Sequence, residues 1–179
     1  MLLAAALLVG SSGAAAAASG PKVTVDSRSG IYEVRGKFST SAPIETTWAV
    51  LTDYGGIGSF VSSIEKSDVE RRDDGELRVH QVATVGHFPF RITAQVALAI
   101  HEDSLRYIAF ADVSGEDFAT YVGSWTLRAD SGTTVISYVL DAAPRSAPPG
   151  WIARGGMRHT VSEMLAEVRT EIERRIARP

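Results

Sequence analysis

Cysteine is absent from all 179 residues. That excludes a disulfide framework, a thiolate nucleophile, a cysteine-built zinc site and a lipidated cysteine anchor. Histidine is scarce, and none of His80, His87, His101 and His159 stands at metal-ligand spacing from another. Each reads as a surface side chain, so no metal and no cofactor is expected. Gly155-Gly156 is no phosphate loop, because neither a preceding strand nor a Lys-Ser/Thr pair accompanies it. Charge of one sign is not in excess either: 18 basic against 21 acidic residues give a formal net charge of −3. A nucleic-acid partner, which needs a basic face, is therefore not expected. No apolar run is long enough to span a bilayer, since 2–9 is far shorter than the roughly 20 residues required.

Short as it is, the 2–9 run is informative. It leads through glycine and serine into Ala14–Ala18, and Ala16-Ala17-Ala18 before Ser19 fits the small-residue rule for signal cleavage, although no basic residue precedes the run. Residues 1–18 are expected to be an export signal, with a low-complexity extension as the alternative. An exported product would be periplasmic or secreted. Residues 19–29, polar and without periodicity, read as a flexible connector, and 30–177 as one domain. A folded part of about 150 residues buries roughly two-thirds or more of its unfolded surface, enough for a sizeable core.

The strongest periodicity comes last. Met157, Val161, Met164, Val168, Ile172 and Ile176 recur at steps of three and four, one apolar stripe on a helix from Gly155 onward. A helix of that length is marginal alone and must lie on something. Almost everything before it alternates like β-strand. The stretch 30–40 sets Tyr32, Val34 and Phe38 against charged neighbours. A short helix follows Pro43, with Glu45 in its first turn and Ile44, Trp48 and Leu51 on one face. Six more strands, 64–72, 76–85, 91–101, 105–113, 118–128 and 133–142, are separated by hairpin-length turns such as Asp73-Asp74-Gly75. In 105–113 both faces are apolar, which leaves its inward side unassigned. The expected architecture is α+β: a curved antiparallel sheet of about seven strands around a long C-terminal helix, with a cavity where the two do not close.

Certain residues bear on what that cavity holds. Alanine is normally depleted in strands, yet Ala83, Ala94, Ala97, Ala99, Ala109, Ala111 and Ala119 fall inside these. Small side chains opposite a helix permit either close docking or a ligand. Gln81 sits on an otherwise apolar face, while Tyr107, Tyr121, Tyr138 and Trp125 bring polar atoms to apolar strand positions. Buried polar groups need partners, which a ligand or another side chain can supply. Arg154, three residues before Met157, is expected near the mouth beside Met157 and Val161, facing an anionic or quinone head group. Two apolar loops read as gates or plugs: 86–90 with His87, Phe88 and Phe90, and 144–151 with Trp151. They are also the places for transient membrane contact. No catalytic residue is assigned, because no nucleophile–base constellation follows from spacing.

The segment Ala42-Pro43-Ile44-Glu45-Thr46-Thr47-Trp48-Ala49-Val50-Leu51-Thr52-Asp53-Tyr54 resembles the first-helix signature of the polyketide cyclase/dehydrase and lipid-transport family of the START-like superfamily. The Gly123-Ser124-Trp125 strand, the strand after it and the proline-led final helix are similar too, so the likeness spans residues 30 to about 176. The resemblance implies a helix-grip fold. Members include coenzyme Q-binding START proteins, lipid carriers, aromatase/cyclases and a ribosome-association toxin, the last being hard to reconcile with export. The implied partner is a hydrophobic small molecule: a lipid, a quinone or a polycyclic aromatic. An aromatase/cyclase-like enzyme and a ligand-free protein-interaction module are the alternatives.

Overall fold

The computed structural model describes residues 20–85, 92–146 and 150–177. In chain order the elements are β1 (Lys22–Arg28), β2 (Ile31–Thr40), α1 (Ile44–Leu51), β3 (Ile64–Arg71), β4 (Leu77–Val85), β5 (Ile92–Asp103), β6 (Tyr107–Asp112), β7 (Phe118–Asp130), β8 (Thr133–Pro144) and α2 (Gly150–Ile176). All eight strands form one antiparallel sheet in the order β1-β2-β8-β7-β6-β5-β4-β3. This is the expected helix-grip architecture with one more strand than anticipated. The extra strand is β1, so Lys22–Arg28 is not connector: Val23 and Val25 face inward, and Val25 is buried. Ser29-Gly30 then turns the chain with both φ angles positive, +51° and +82°, the geometry of a two-residue hairpin turn.

Register fixes which side chains share the inner face. Gly36 opposes Tyr138, Trp125 opposes Ile108, Phe110 opposes Ile100 and Leu98 opposes Val79. Tyr32, Val34, Phe38, Ile136, Leu140, Ala142, Leu127 and Ile108 on that face are buried. Glycine is required at two of its positions by close approach. A Cβ at Gly36 would run into the Leu165 side chain of α2, and one at Gly123 would strike both the Phe110 ring and the Val139 carbonyl. Since a carbonyl of the neighbouring strand cannot swing away, Gly123→Ala should cost about 3 kcal/mol by overpacking, read as a lower urea midpoint with unchanged slope.

α2 starts five residues before the expected helix and packs along β1, β2 and α1. Its stripe is largely as the periodicity predicts: Val161, Val168 and Ile172 are buried, Met157 and Met164 partly so. Leu165, outside that stripe, is wholly buried, while Ile176, the last residue of α2, is 42 % exposed. α1 follows Pro43, carries Glu45 in its first turn, and is anchored to β8 by Thr134, whose hydroxyl donates to the Ala42 carbonyl at 2.7 Å. The Asp53 turn after α1 is structural. The carboxylate accepts from Gly56 N at 3.2 Å and from Arg175 at 2.5 Å.

Candidate functional site

The wall of interest is the inner face of β5–β8, the same face of the sheet on which α2 packs at β1 and β2. Tyr121 and Trp125 come from alternate positions of β7, Tyr138 from β8, and Phe110 from β6. Their rings pack as one cluster. Phe110 lies 6.1 Å from both Tyr121 and Tyr138, Phe118 lies 4.7 Å from Tyr121, and Trp125 lies 4.6 Å from Tyr138, centroid to centroid. The glycine at 123 makes the cluster possible, because the Phe110 ring occupies the space a side chain there would fill.

Within the cluster the Tyr121 and Tyr138 hydroxyls are hydrogen-bond neighbours, and either can donate to the other. Burial pushes both phenols upward, Tyr121 to about 12 and Tyr138 well above its ordinary value. Both therefore stay protonated throughout the physiological range. Asp112, at the end of β6, adds a negative field that helps raise Tyr121. Burial alone would lift the Asp112 carboxyl, yet it is held below the usual range by hydrogen bonds from the backbone of Ser114, Ala97 and Gly115 and from the Ser114 hydroxyl. It seals the strand end where β6 stops short of β5 and β7.

Not every inner residue is closed off. Val96, Ile100, Phe118, Tyr121, Trp125, Ala153, Met157 and Met164 are only partly buried although they pack on the core. Gln81, on β4, shares the inner face, but its amide donates to the Ser67 hydroxyl at 3.3 Å, which in turn donates to the Tyr54 carbonyl at 2.7 Å. The Tyr54 hydroxyl reaches Glu102 at 2.6 Å, and burial together with that carboxylate raises its pKa. This chain closes the β3–β5 end of the grip.

Among the expected pocket residues, Gln81, Ala94, Tyr121, Trp125, Tyr138, Met157 and Val161 face the interior. Three do not. Ile108 and Phe110 take the inner face of β6, so Tyr107 and Ala109 project outward, Tyr107 with 38 % exposure. Arg154 is exposed, because Ala153 and Met157 present the packed side of α2 there. The strand alanines split likewise: Ala83 and Ala94 oppose each other inside, while Ala99, Ala109 and Ala111 line a shallow outer groove with His101 and Val122. His87, Phe88 and Phe90 lie outside the described residues, and Trp151 falls in the first turn of α2. His80 and His101 are exposed, His80 pairing with Glu70 at 3.1 Å, and His159 pairs with Glu163 at 3.2 Å. Phe110 and Asp112 were missed, because a strand apolar on both faces hides which side is the wall. Among the described residues no cluster of three or more metal-ligating side chains occurs, and no helix is long and apolar enough to cross a membrane.

Sheet, grip helix and aromatic wall together define a START-like helix-grip domain. The chain belongs to the polyketide cyclase / dehydrase and lipid transport family, whose model matches residues 40–169. No protein of curated function matches the sequence. Solved structures share the fold at low identity. A STAR-related lipid transfer protein from Xanthomonas axonopodis superposes with a TM-score of 0.62 at 17% identity, covering 87% of this chain and 99% of that one. The Zhui aromatase/cyclase from a Streptomyces species gives 0.66 at 20% identity, with 82% and 96% covered. A START superfamily protein from Mycobacterium smegmatis gives 0.65 at 15% identity, with 79% and 97% covered.

Proposed function

We propose that this protein binds and carries a hydrophobic small molecule, a lipid, quinone or polycyclic aromatic, between the inner face of β5–β8 and α2, without transforming it. The observation that carries the reading is the accessible surface left on Val96, Ile100, Tyr121, Trp125 and Met157, inward-facing apolar residues that a solid core would bury. Covering such surface with an apolar ligand contributes about 25 cal/mol per Å² before ordering costs. The lipid-transport part of the family description and the fold shared with a lipid transfer protein agree with it.

The cyclase reading draws on the same family description and on the fold shared with an aromatase/cyclase. Acid–base chemistry near neutral pH favours groups with pKa values near 7. The wall's two hydroxyls are driven the other way, which suits them to donate hydrogen bonds rather than to take protons. Residues 1–18 are read as an export signal, to be checked by fractionating the native host and sequencing the N-terminus of the mature protein. The loops around 86–90 and 144–151 are where the carrier would touch a membrane while loading.

The deciding experiment is native mass spectrometry of protein purified from its own host, followed by organic extraction. A co-purifying apolar compound near one equivalent supports the carrier. Empty protein that ignores lipids, quinones and aromatics favours the protein-interaction module, and turnover of a polyketide makes it an enzyme. Two substitutions sharpen the result. Ala94→Leu adds bulk to the inner wall and should reduce ligand uptake at least tenfold. Ala109→Leu adds the same bulk to the outer face and should leave uptake unchanged.

A further inference from the structure

Charge is distributed unevenly between the two faces of the sheet. The lysines and arginines of β1, β2, β4 and β7 (Lys22, Arg28, Arg35, Lys37, Arg78 and Arg128) all fall on the outer face by register. β5, β6 and β8 contain neither residue type. Arg71 alone among strand cations has inward parity, and it is exposed on β3 at the sheet's edge. On α2, Arg154 and Arg158 are exposed, Arg169 pairs with Glu173, and Arg174 and Arg175 pair with Glu171. The charged side chains of inward parity on β5 and β6 are Glu102 and Asp112, both negative.

Hydrogen-bond polarity points the same way. A phenol has one proton to give and lone pairs to accept with. Two neighbouring hydroxyls use one proton between them and leave the other free, and Tyr121, only partly buried where Tyr138 is buried, is the one placed to turn its proton toward a ligand. Trp125, beside Tyr138, carries an indole N–H that only donates. Among the described residues the wall therefore offers protons to an acceptor and no cation to an anion. A carboxylate or phosphate seated there would lose its hydration without a counter-ion and would lie near Asp112, a large desolvation cost. A ketone, quinone or ester carbonyl loses far less and gains the hydrogen bond.

We propose that the grip selects uncharged ligands bearing a hydrogen-bond acceptor, which the Tyr121 hydroxyl engages, and that it rejects the same molecules when they carry an anionic head. The proposal rests on the binding reading above and narrows its ligand class. It is tested by titrating the full chain, followed by calorimetry and tryptophan fluorescence, with two matched sets: anthracene, 9,10-anthraquinone and anthraquinone-2-carboxylate; methyl palmitate and palmitate. Anthraquinone should bind about tenfold tighter than anthracene, and each neutral compound at least about tenfold tighter than its carboxylate partner. Tyr121→Phe should bring anthraquinone to within about twofold of anthracene while leaving anthracene itself unchanged, a split that loss of structure would not produce.

Tighter binding of either carboxylate, or equal binding of anthracene and anthraquinone by the native protein, overturns the selectivity while leaving the carrier function standing. Loss of both aromatic ligands alike in Tyr121→Phe removes the role of that hydroxyl. Binding of none of the five compounds defeats the carrier function and the proposal together. The native-protein series decides the ligand class even if the variant does not fold.

Discussion

Leu165→Ala should lower the free energy of unfolding by about 4 kcal/mol, measured by urea denaturation at neutral pH. Leu165 is fully buried where α2 crosses β2, and its terminal methyl seats against Gly36. Truncation removes apolar burial and leaves a void between two elements that cannot close on it independently, since β2 is held by β1 and β8 on either side. Gly36 supplies an internal control. Gly36→Ala alone pushes its new methyl into the Leu165 side chain and should cost about 1–3 kcal/mol by overpacking. Placed in the Leu165→Ala background, the same methyl enters the vacated space. The double variant should then be more stable than the sum of the single effects by about 1 kcal/mol or more. Strict additivity would mean that α2 is not seated on β2 at this point.

That crossing also shows what the sequence reveals and what it conceals. The long helix was legible because six apolar residues recur over twenty positions, and no other element offers so long a partner. Leu165 was not, because Met164 already filled the expected step and the stripe is broader than a single row. β2, β4, β5, β7 and β8 were legible because their inner and outer residues differ in polarity. β6 was not, since Ala109 and Ala111 make its outer face as apolar as Ile108 and Phe110 make its inner one. Only register to β5 and β7 decides between them, and register is a tertiary fact. The same ambiguity misplaced Tyr107 and Ala109 and hid Phe110. β1 was passed over because it offers two inward valines and its turn uses Ser29, a residue that adopts positive φ only under tertiary constraint. The candidate site was thus half readable: Tyr121, Trp125 and Tyr138 announced themselves as polar atoms on apolar positions. The neighbouring Tyr121 and Tyr138 hydroxyls, and the absence of inward cations among the described residues of β4–β8, depend on pairing across strands.

Glu171→Gln should destabilise the protein by about 2 kcal/mol near neutral pH and flatten its acid denaturation. Glu171 is buried on α2, one residue before the fully buried Ile172, a charge that the apolar stripe gives no reason to expect. It is tolerated because Arg174 reaches both its oxygens at 2.6 Å and Arg175 donates to it at 2.8 Å. Arg175 extends the network to Asp53 and lies over the Phe60 ring, tying the end of α2 to the turn that follows α1. Removing the charge leaves two guanidiniums with poorer acceptors, a loss kept modest because both arginines retain solvent contact. The arginine hydrogen bonds hold the Glu171 carboxyl down at about 2. A group whose pKa is depressed on folding stabilises the native state above its unfolded value, near 4.3, and loses that contribution as pH falls through the folded value. The native protein should therefore lose this share of its stability progressively between about pH 5 and pH 2, whereas Glu171→Gln has already lost it at pH 7. Denaturation at pH 7, 4 and 2.5 should show the two curves converging toward acid. Parallel curves would mean that the guanidiniums do not hold the carboxylate, and that α2 is fastened to α1 by its apolar face alone.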